Sequence, residues 1–269
     1  MNKSEQYLKD EVEWSASRVT TADNCLYAFK KIYFDKENTD NYFAYRGSAV
    51  HQIMEDYDTE LRDYDIPLHA LRANLIGSFE QMMDECPHEP YMYYEGGKKR
   101  MNHNRIIESL KKWKPLPHVK HVEREIKFKV RNYKFRAFLD VEREYEKLMV
   151  TGKMGTVRWH SDYKSEWSNS KYRLQQYLYM YAKELEDGVA PAGFEILEYK
   201  HGFKSVSFKY DKFIIKCILA DIEDIIENTK QAIKDNKFPK TPKDLFFCRN
   251  LCRLCEHGRQ DKFNESKEF

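Results

Sequence analysis

Three runs, VEREIKFKV at 122–130, YKFRAFLDVE at 133–142 and TVRWHSDYK at 156–164, decide how this chain folds. In each, apolar and polar residues alternate with period two, the pattern of a strand with one face in a core. The three read as strands of one sheet. The same period places chemistry at their ends. FRAFLD closes on Asp140, and VRWHSDYK sets Asp162 and Lys164 two residues apart, hence on one face.

Working outward, the first half reads as helices. Thr20 or Thr21 can cap a segment running to about Phe34; residues 47–64 and 68–86 carry helical spacing. Beyond the strands, 172–185 returns to helix, 194–199 and 205–210 form a hairpin, and 211–234 is a long amphipathic helix. FPKTPKDLFF at 238–247 is a proline-bearing loop. No repeat or Ser/Gly linker interrupts the chain, so the expectation is one unit over 1–269. It comprises a mainly helical part at 1–115, a sheet-and-helix core at 116–235 and a cysteine-bearing tail at 236–269.

With 269 residues, 41% of them hydrophobic, the chain can bury one sizeable core. Its 46 Lys+Arg against 44 Asp+Glu leave a net charge of +2, so any polyanion-binding surface must be local. Such a patch lies at 98–120, where Lys98, Lys99, Arg100, Arg105, Lys111, Lys112, Lys114 and Lys120 face one acid, Glu108, with Trp113 placed to stack a base. The first residues lack the apolar core of an export signal, and no run approaches the ~20 apolar residues of a membrane span. The expected location is the cytoplasm, without membrane contact. There the six cysteines stay reduced, and their clustering points to metal rather than disulfides.

Two aspartates and a lysine on one sheet match the needs of phosphodiester hydrolysis. That chemistry takes a divalent cation on the phosphoryl oxygens and a positive group to steady water or charge. D-x-K alone is unspecific, since DNK at 235–237 has it too. The order of motifs is more specific: RGSAVHQIMEDY with Gly47 and His51, then Asp140, then D-Y-K, then YRLQQYLYMYA.

That succession, from about Ser15 to Gly258, resembles the RecB-like nucleases of the PD-(D/E)xK superfamily, including CRISPR-associated and phage recombination exonucleases. The resemblance implies a restriction-endonuclease-like α/β fold, a mixed central sheet flanked by helices. It implies a metal-dependent deoxyribonuclease acting on single strands or ends, with a repair, recombination or CRISPR-adaptation complex as its expected partner. His51, of G-x-x-x-H, becomes a metal ligand together with Asp140, Asp162 and the backbone carbonyl of Tyr163, and Lys164 orients the attacking water. Ala137 stands where the family commonly has glycine, and Ser165 follows the D-x-K motif as expected. Gln175 and Tyr179 fit the family's Q-x-x-x-Y, with Gln176 as a competitor. Glu123 or Glu125 can approach the metal, and strand alternation does not choose between them. A histidine among oxygen ligands softens a magnesium site toward manganese. The alternative is a module that binds nucleic acid or a partner without turnover.

CRNLCRLCEHG holds Cys248, Cys252 and Cys255, and Cys25 lies far upstream. Four thiolates suit zinc or an iron–sulfur cluster, and spacing does not distinguish them. The resemblance implies a [4Fe–4S] cluster, with one cysteine before the His51 helix and three near the C-terminus. The terminal spacing departs from the usual one, because the extra cysteine lies upstream and none follows Cys255; zinc is the alternative. Cys217, among Phe213, Ile214 and Ile218, reads as a core thiol, and Cys86 as incidental.

Overall fold

The computed structural model describes residues 3–37, 41–61, 66–95, 98–149, 153–164 and 173–243, with Cys248, Cys252 and Leu254. It has a mixed α/β fold, with a central mixed sheet flanked by helices. The chain divides into two units interleaved in sequence: Met1–Thr39, Lys127–Ala137 and Lys212–Phe269 form the first, Asp40–Ile126 and Phe138–Asp211 the second.

The second unit opens with helix α4 (Tyr42–Asp56), which runs into a π turn at Tyr57–Leu61 and is followed by α5 (Leu68–Asp84). Asn41 starts α4 because its Oδ1 accepts from the Phe43 and Ala44 amides at 2.9 and 3.1 Å, satisfying two otherwise orphaned donors. The expected helix at 47–64 thus begins earlier, and its residues 62–65 fall outside the described ones. On α5, Leu71, Leu75, Phe79 and Met83 recur every fourth residue and are buried. Each such side chain contributes about 1.5–3 kcal/mol of burial. A hairpin of β2 (Met92–Glu95) and β3 (Lys98–Met101) and the short α6 (Asn104–Leu110) follow; sequence spacing foresaw neither.

Strands β4 (Val119–Val130), β5 (Tyr133–Leu148) and β6 (Met154–Lys164) confirm the three alternating runs. Along β5, Tyr133, Phe135, Ala137, Leu139 and Val141 are buried while their neighbours through Phe138 are exposed. β5 pairs with β4 and, antiparallel, with β6. β6 pairs parallel with β7 (Gly193–Glu198), and β7 antiparallel with β8 (Lys204–Lys209), joined through the short turn Tyr199–His201. Between β6 and β7 lies α7 (Arg173–Asp187), the crossover that a parallel pair requires. Gly193 has to be glycine: a Cβ there would collide with the Phe208 carbonyl and the Trp159 ring.

In the first unit, α1 (Lys3–Leu8) precedes β1 (Glu13–Trp14), which pairs parallel with the start of β5. Then come α2 (Ala16–Asn24), α3 (Leu26–Tyr33) and the long α8 (Lys212–Lys234). Its core is aromatic: Trp14 stacks on Phe29 at 5.9 Å, and Tyr7 meets both rings edge-on.

Three expectations are corrected. Ser15, not Thr20 or Thr21, caps α2, its Oγ accepting from the Arg18 amide at 3.3 Å. The threonines lie inside the helix, bonded back to the Ala16 and Ser17 carbonyls, and the segment breaks at the extended Cys25. Cys217 is exposed rather than core, because the buried stripe of α8 runs through Ile215, Ile222, Ile226 and Ile233. Trp113 is buried, meeting Tyr57 edge-on at 4.6 Å, so it anchors the core and stacks no base.

Candidate active site

Four elements of the second unit bring the charged residues together. The β5–β6 register pairs Val141 with Ser161 and Glu142 with His160, which leaves Asp140 and Asp162 next to the last pair of the ladder. The Tyr163 amide donates to Asp140 Oδ2 at 3.1 Å, tying the end of β6 to the middle of β5. From α4, His51 Nδ1 comes to 3.2 Å from the same Oδ2. From β4, Glu123 joins them: ligand atoms of His51, Glu123 and Asp140 all lie within 4.8 Å of one another. These residues line an open cavity of about 520 Å³, together with Gly47, Glu55, Lys164 and Tyr199.

Glu123 resolves the ambiguity with Glu125, which is exposed. Its φ of 46° is a left-handed conformation in mid-strand, where a residue with a Cβ is strained. This turn of the backbone breaks the strand period, which is why alternation could not assign it. Gly47 lies on the α4 face beneath Tyr199, whose hydroxyl would be 3.6 Å from a Cβ there.

Charge is concentrated here. Burial pushes the Asp162 carboxyl up, and the adjacent Asp140 charge adds to it. Burial alone would raise Asp140 as well, but the charge and hydrogen bond of His51 override it and hold Asp140 below the carboxylate range. Asp140 likewise overcomes desolvation to raise His51. Glu123 is pushed up to about 7 by burial and then by Asp140 and Glu55. Crowded carboxylates that resist full ionisation beside an imidazole nitrogen fit a divalent cation, which would relieve the repulsion.

The remaining expected residues gather around Asp162. Lys164 Nζ donates to its Oδ1 at 2.6 Å, and Gln175 Nε2 to Oδ2 at 3.3 Å. Tyr179, one turn along α7, is buried; burial and then the Asp162 charge raise its pKa. Gln176 is fully buried. The Tyr163 ring points into the core, its hydroxyl 3.3 Å from the buried Asp58 on the π turn.

A profile of the PD-(D/E)XK nuclease superfamily matches residues 13–260, nearly the whole chain. The chain belongs to the PD-(D/E)XK nuclease superfamily. No curated protein matches significantly. Among solved structures, a candidate exonuclease from Eubacterium rectale is similar in fold at a TM-score of 0.54 and 13% identity, covering 97% of this chain and 95% of its own.

In this PD-(D/E)XK chain, the helix bearing Gln175 and Tyr179 is also held at its other end. Lys183 is fully buried, its Nζ 2.6 Å from Glu186, 3.2 Å from Asp187 and 3.3 Å from Glu142. Glu142 in turn accepts from Arg124 at 2.8 Å. Lys183 follows Gln175 by eight residues on one helix face, so two polar contacts set where α7 lies on the strands. The helical spacing of 175, 179 and 183 was a signal for this; a lysine at a core position was the clue.

Cys25, Cys248 and Cys252 lie in the first unit. Cys25, Cys248 and Cys252 line one small cavity with Tyr27, Lys240 and Leu254. Cys25 and Cys248 are buried. Cys255 falls outside the described residues. Cys25, Cys248 and Cys252 share this lining, but among the described residues only His51, Glu123 and Asp140 bring three ligand atoms within 4.8 Å of one another. Among the described residues, no helix is long and apolar enough to cross a membrane.

Proposed function

We propose that this chain is a metal-dependent deoxyribonuclease of the RecB-like branch, hydrolysing phosphodiester bonds of single strands or DNA ends in the cytoplasm. One observation carries the reading: His51, Glu123 and Asp140 converge within 4.8 Å beside Asp162 and Lys164. His51, Asp140, Asp162 and the Tyr163 carbonyl would hold Mg2+ or Mn2+, with Glu123 as a further carboxylate. The cation, when bound, neutralises phosphoryl oxygens and lowers the pKa of a bound water.

Lys164 would orient that water and steady the charge developing on the phosphoryl group. Its bond to Asp162 keeps the ammonium at the cavity rather than in solvent. Gln175 would fix the second oxygen of Asp162, and Tyr179, buried one turn further along α7, would pack beside it.

Purified protein with manganese or magnesium should degrade end-labelled DNA, and Asp162→Asn or Lys164→Ala should abolish this. Unchanged cleavage by both variants would refute the site. Tight DNA binding without turnover under any divalent cation would instead favour the non-catalytic binding module. Activity only with an added repair or recombination complex would place the chain within such an assembly.

For the second centre, we propose that Cys25, Cys248, Cys252 and Cys255 hold a [4Fe–4S] cluster that ties the tail to α2 and α3. Protein purified without air should be brown with broad visible absorbance. A colourless, zinc-containing protein would replace the cluster by zinc.

A further inference from the structure

Basic residues from two segments remote in sequence meet beside the cavity. The turn Tyr199–His201 begins at Tyr199, which lines the cavity, and continues with Lys200 and His201. It closes at Gly202, left-handed at φ 75°, whose amide donates to Ser109 Oγ at 3.0 Å. Ser109 lies in the last turn of α6, so the exposed Lys111 and Lys112 that follow lie against the same turn. The Lys112 Cδ is 4.0 Å from where a Gly202 Cβ would be. Lys204 opens β8 across from Glu198, whose partner on the other side is Lys164.

The platform beneath is firm. Trp113, just after these lysines, is packed on Tyr57, and its carbonyl accepts from Arg72 at 2.8 Å. Glu108 neutralises only part of this surface through Lys111 at 2.6 Å. In a chain whose overall charge is +2, this is a local surplus of cations leading away from the carboxylate site.

We propose that this ridge, formed by Lys111 and Lys112 with Lys200 and Lys204, is the track that holds the phosphates of a DNA single strand leaving the cavity. The inference rests on the nuclease reading for what happens inside the cavity, while the ridge itself acts by charge on the sugar–phosphate backbone. Trp113 is buried, so the track reads no base by stacking there.

The test uses the full-length protein and fluorescein-labelled oligodeoxythymidylate, with anisotropy measured in EDTA across a salt series. A Lys112→Glu, Lys200→Glu, Lys204→Glu triple variant should bind at least about tenfold more weakly near 0.1 M salt. A triple Lys→Gln variant should make the log–log salt slope shallower by about 2, because three phosphate contacts on a single strand are lost. Controls carry Lys147→Glu and Lys209→Glu, at the ends of β5 and β8, and Lys153→Glu, just before β6, and should bind as wild type does. Cleavage of a dinucleotide, too short to reach the ridge, should be unchanged in the ridge variants while KM for the oligonucleotide rises. Ridge variants that bind like the controls, or lose dinucleotide cleavage in step with oligonucleotide cleavage, would overturn the track. Wild-type protein that cleaves neither substrate but loses binding in the ridge variants would remove the nuclease reading and leave the track standing.

Discussion

The carboxylate site and the cysteine site are built by opposite strategies. In the first, His51, Glu123, Asp140, Asp162 and Lys164 sit on a helix and three strands whose pairing fixes their spacing. In the second, Cys25 is the extended residue between two short helices, and Cys248 and Cys252 come from a segment more than two hundred residues later. Hard oxygen donors are held by hydrogen-bonded framework, whereas the soft donors close a very long loop. On the proposed reading the first geometry precedes its ligand, while the second would depend on its ligand for cohesion.

Disarming each site in turn separates the two strategies. Asp162→Asn should lower cleavage by roughly a thousandfold or more with little change in melting temperature, measured on labelled DNA and by circular dichroism. Collapse of the fold in that variant would show that the carboxylates are structural after all. Cys25→Ser should do the reverse. Loss of the closing ligand should cost about 3 kcal/mol and lower the melting temperature by roughly 6–12 °C. A Cys25→Ser protein that melts like wild type would put the two sites on the same footing.

A pH titration sharpens the contrast within the framework. His160, fully buried opposite Glu142, is pushed down to about 4 by desolvation. The unfolded chain takes up this proton near pH 6.5, and the folded chain only near 4. The stabilisation is therefore complete above about pH 6.5 and is lost as pH falls toward 4, by about 2–3 kcal/mol. Urea unfolding between these values should show the loss, and a His160→Phe variant should flatten it; an unchanged slope in that variant would assign the pH dependence elsewhere. The smallest effect compares helix starts. Asn41→Ala, which removes two bonds from the helix carrying His51, should cost about 1 kcal/mol by urea titration, and Ser15→Ala in the first unit about half that. Equal losses would mean that bond number at the cap does not set the difference.

How legible each part was follows from the locality of its cause. The strand at 133–148 could be read because alternate side chains really are buried, and strand period placed Asp162 and Lys164 on one face, though singling them out over the DNK at 235–237 took the order of the motifs. The long α8 was legible in extent but not in face, since its flanking residues Phe213 and Cys217 are apolar yet exposed. Thr20 and Thr21 misled because a hydroxyl that can cap a helix can equally bond back to the carbonyl four residues earlier. Trp113 is wholly buried in a segment otherwise rich in lysine, which the charge pattern concealed. Choosing Glu123 over Glu125 needed a backbone angle that no spacing rule contains.

That angle has a consequence for how the protein can be altered. Glycine tolerates a left-handed backbone without penalty, so Glu123→Gly would release about 1 kcal/mol of local strain while deleting a carboxylate from the cavity. Selection for heat resistance that ignores cleavage would accept this exchange, and selection for cleavage would reject it. Residue 123 is thus a place where durability and turnover compete for a single side chain.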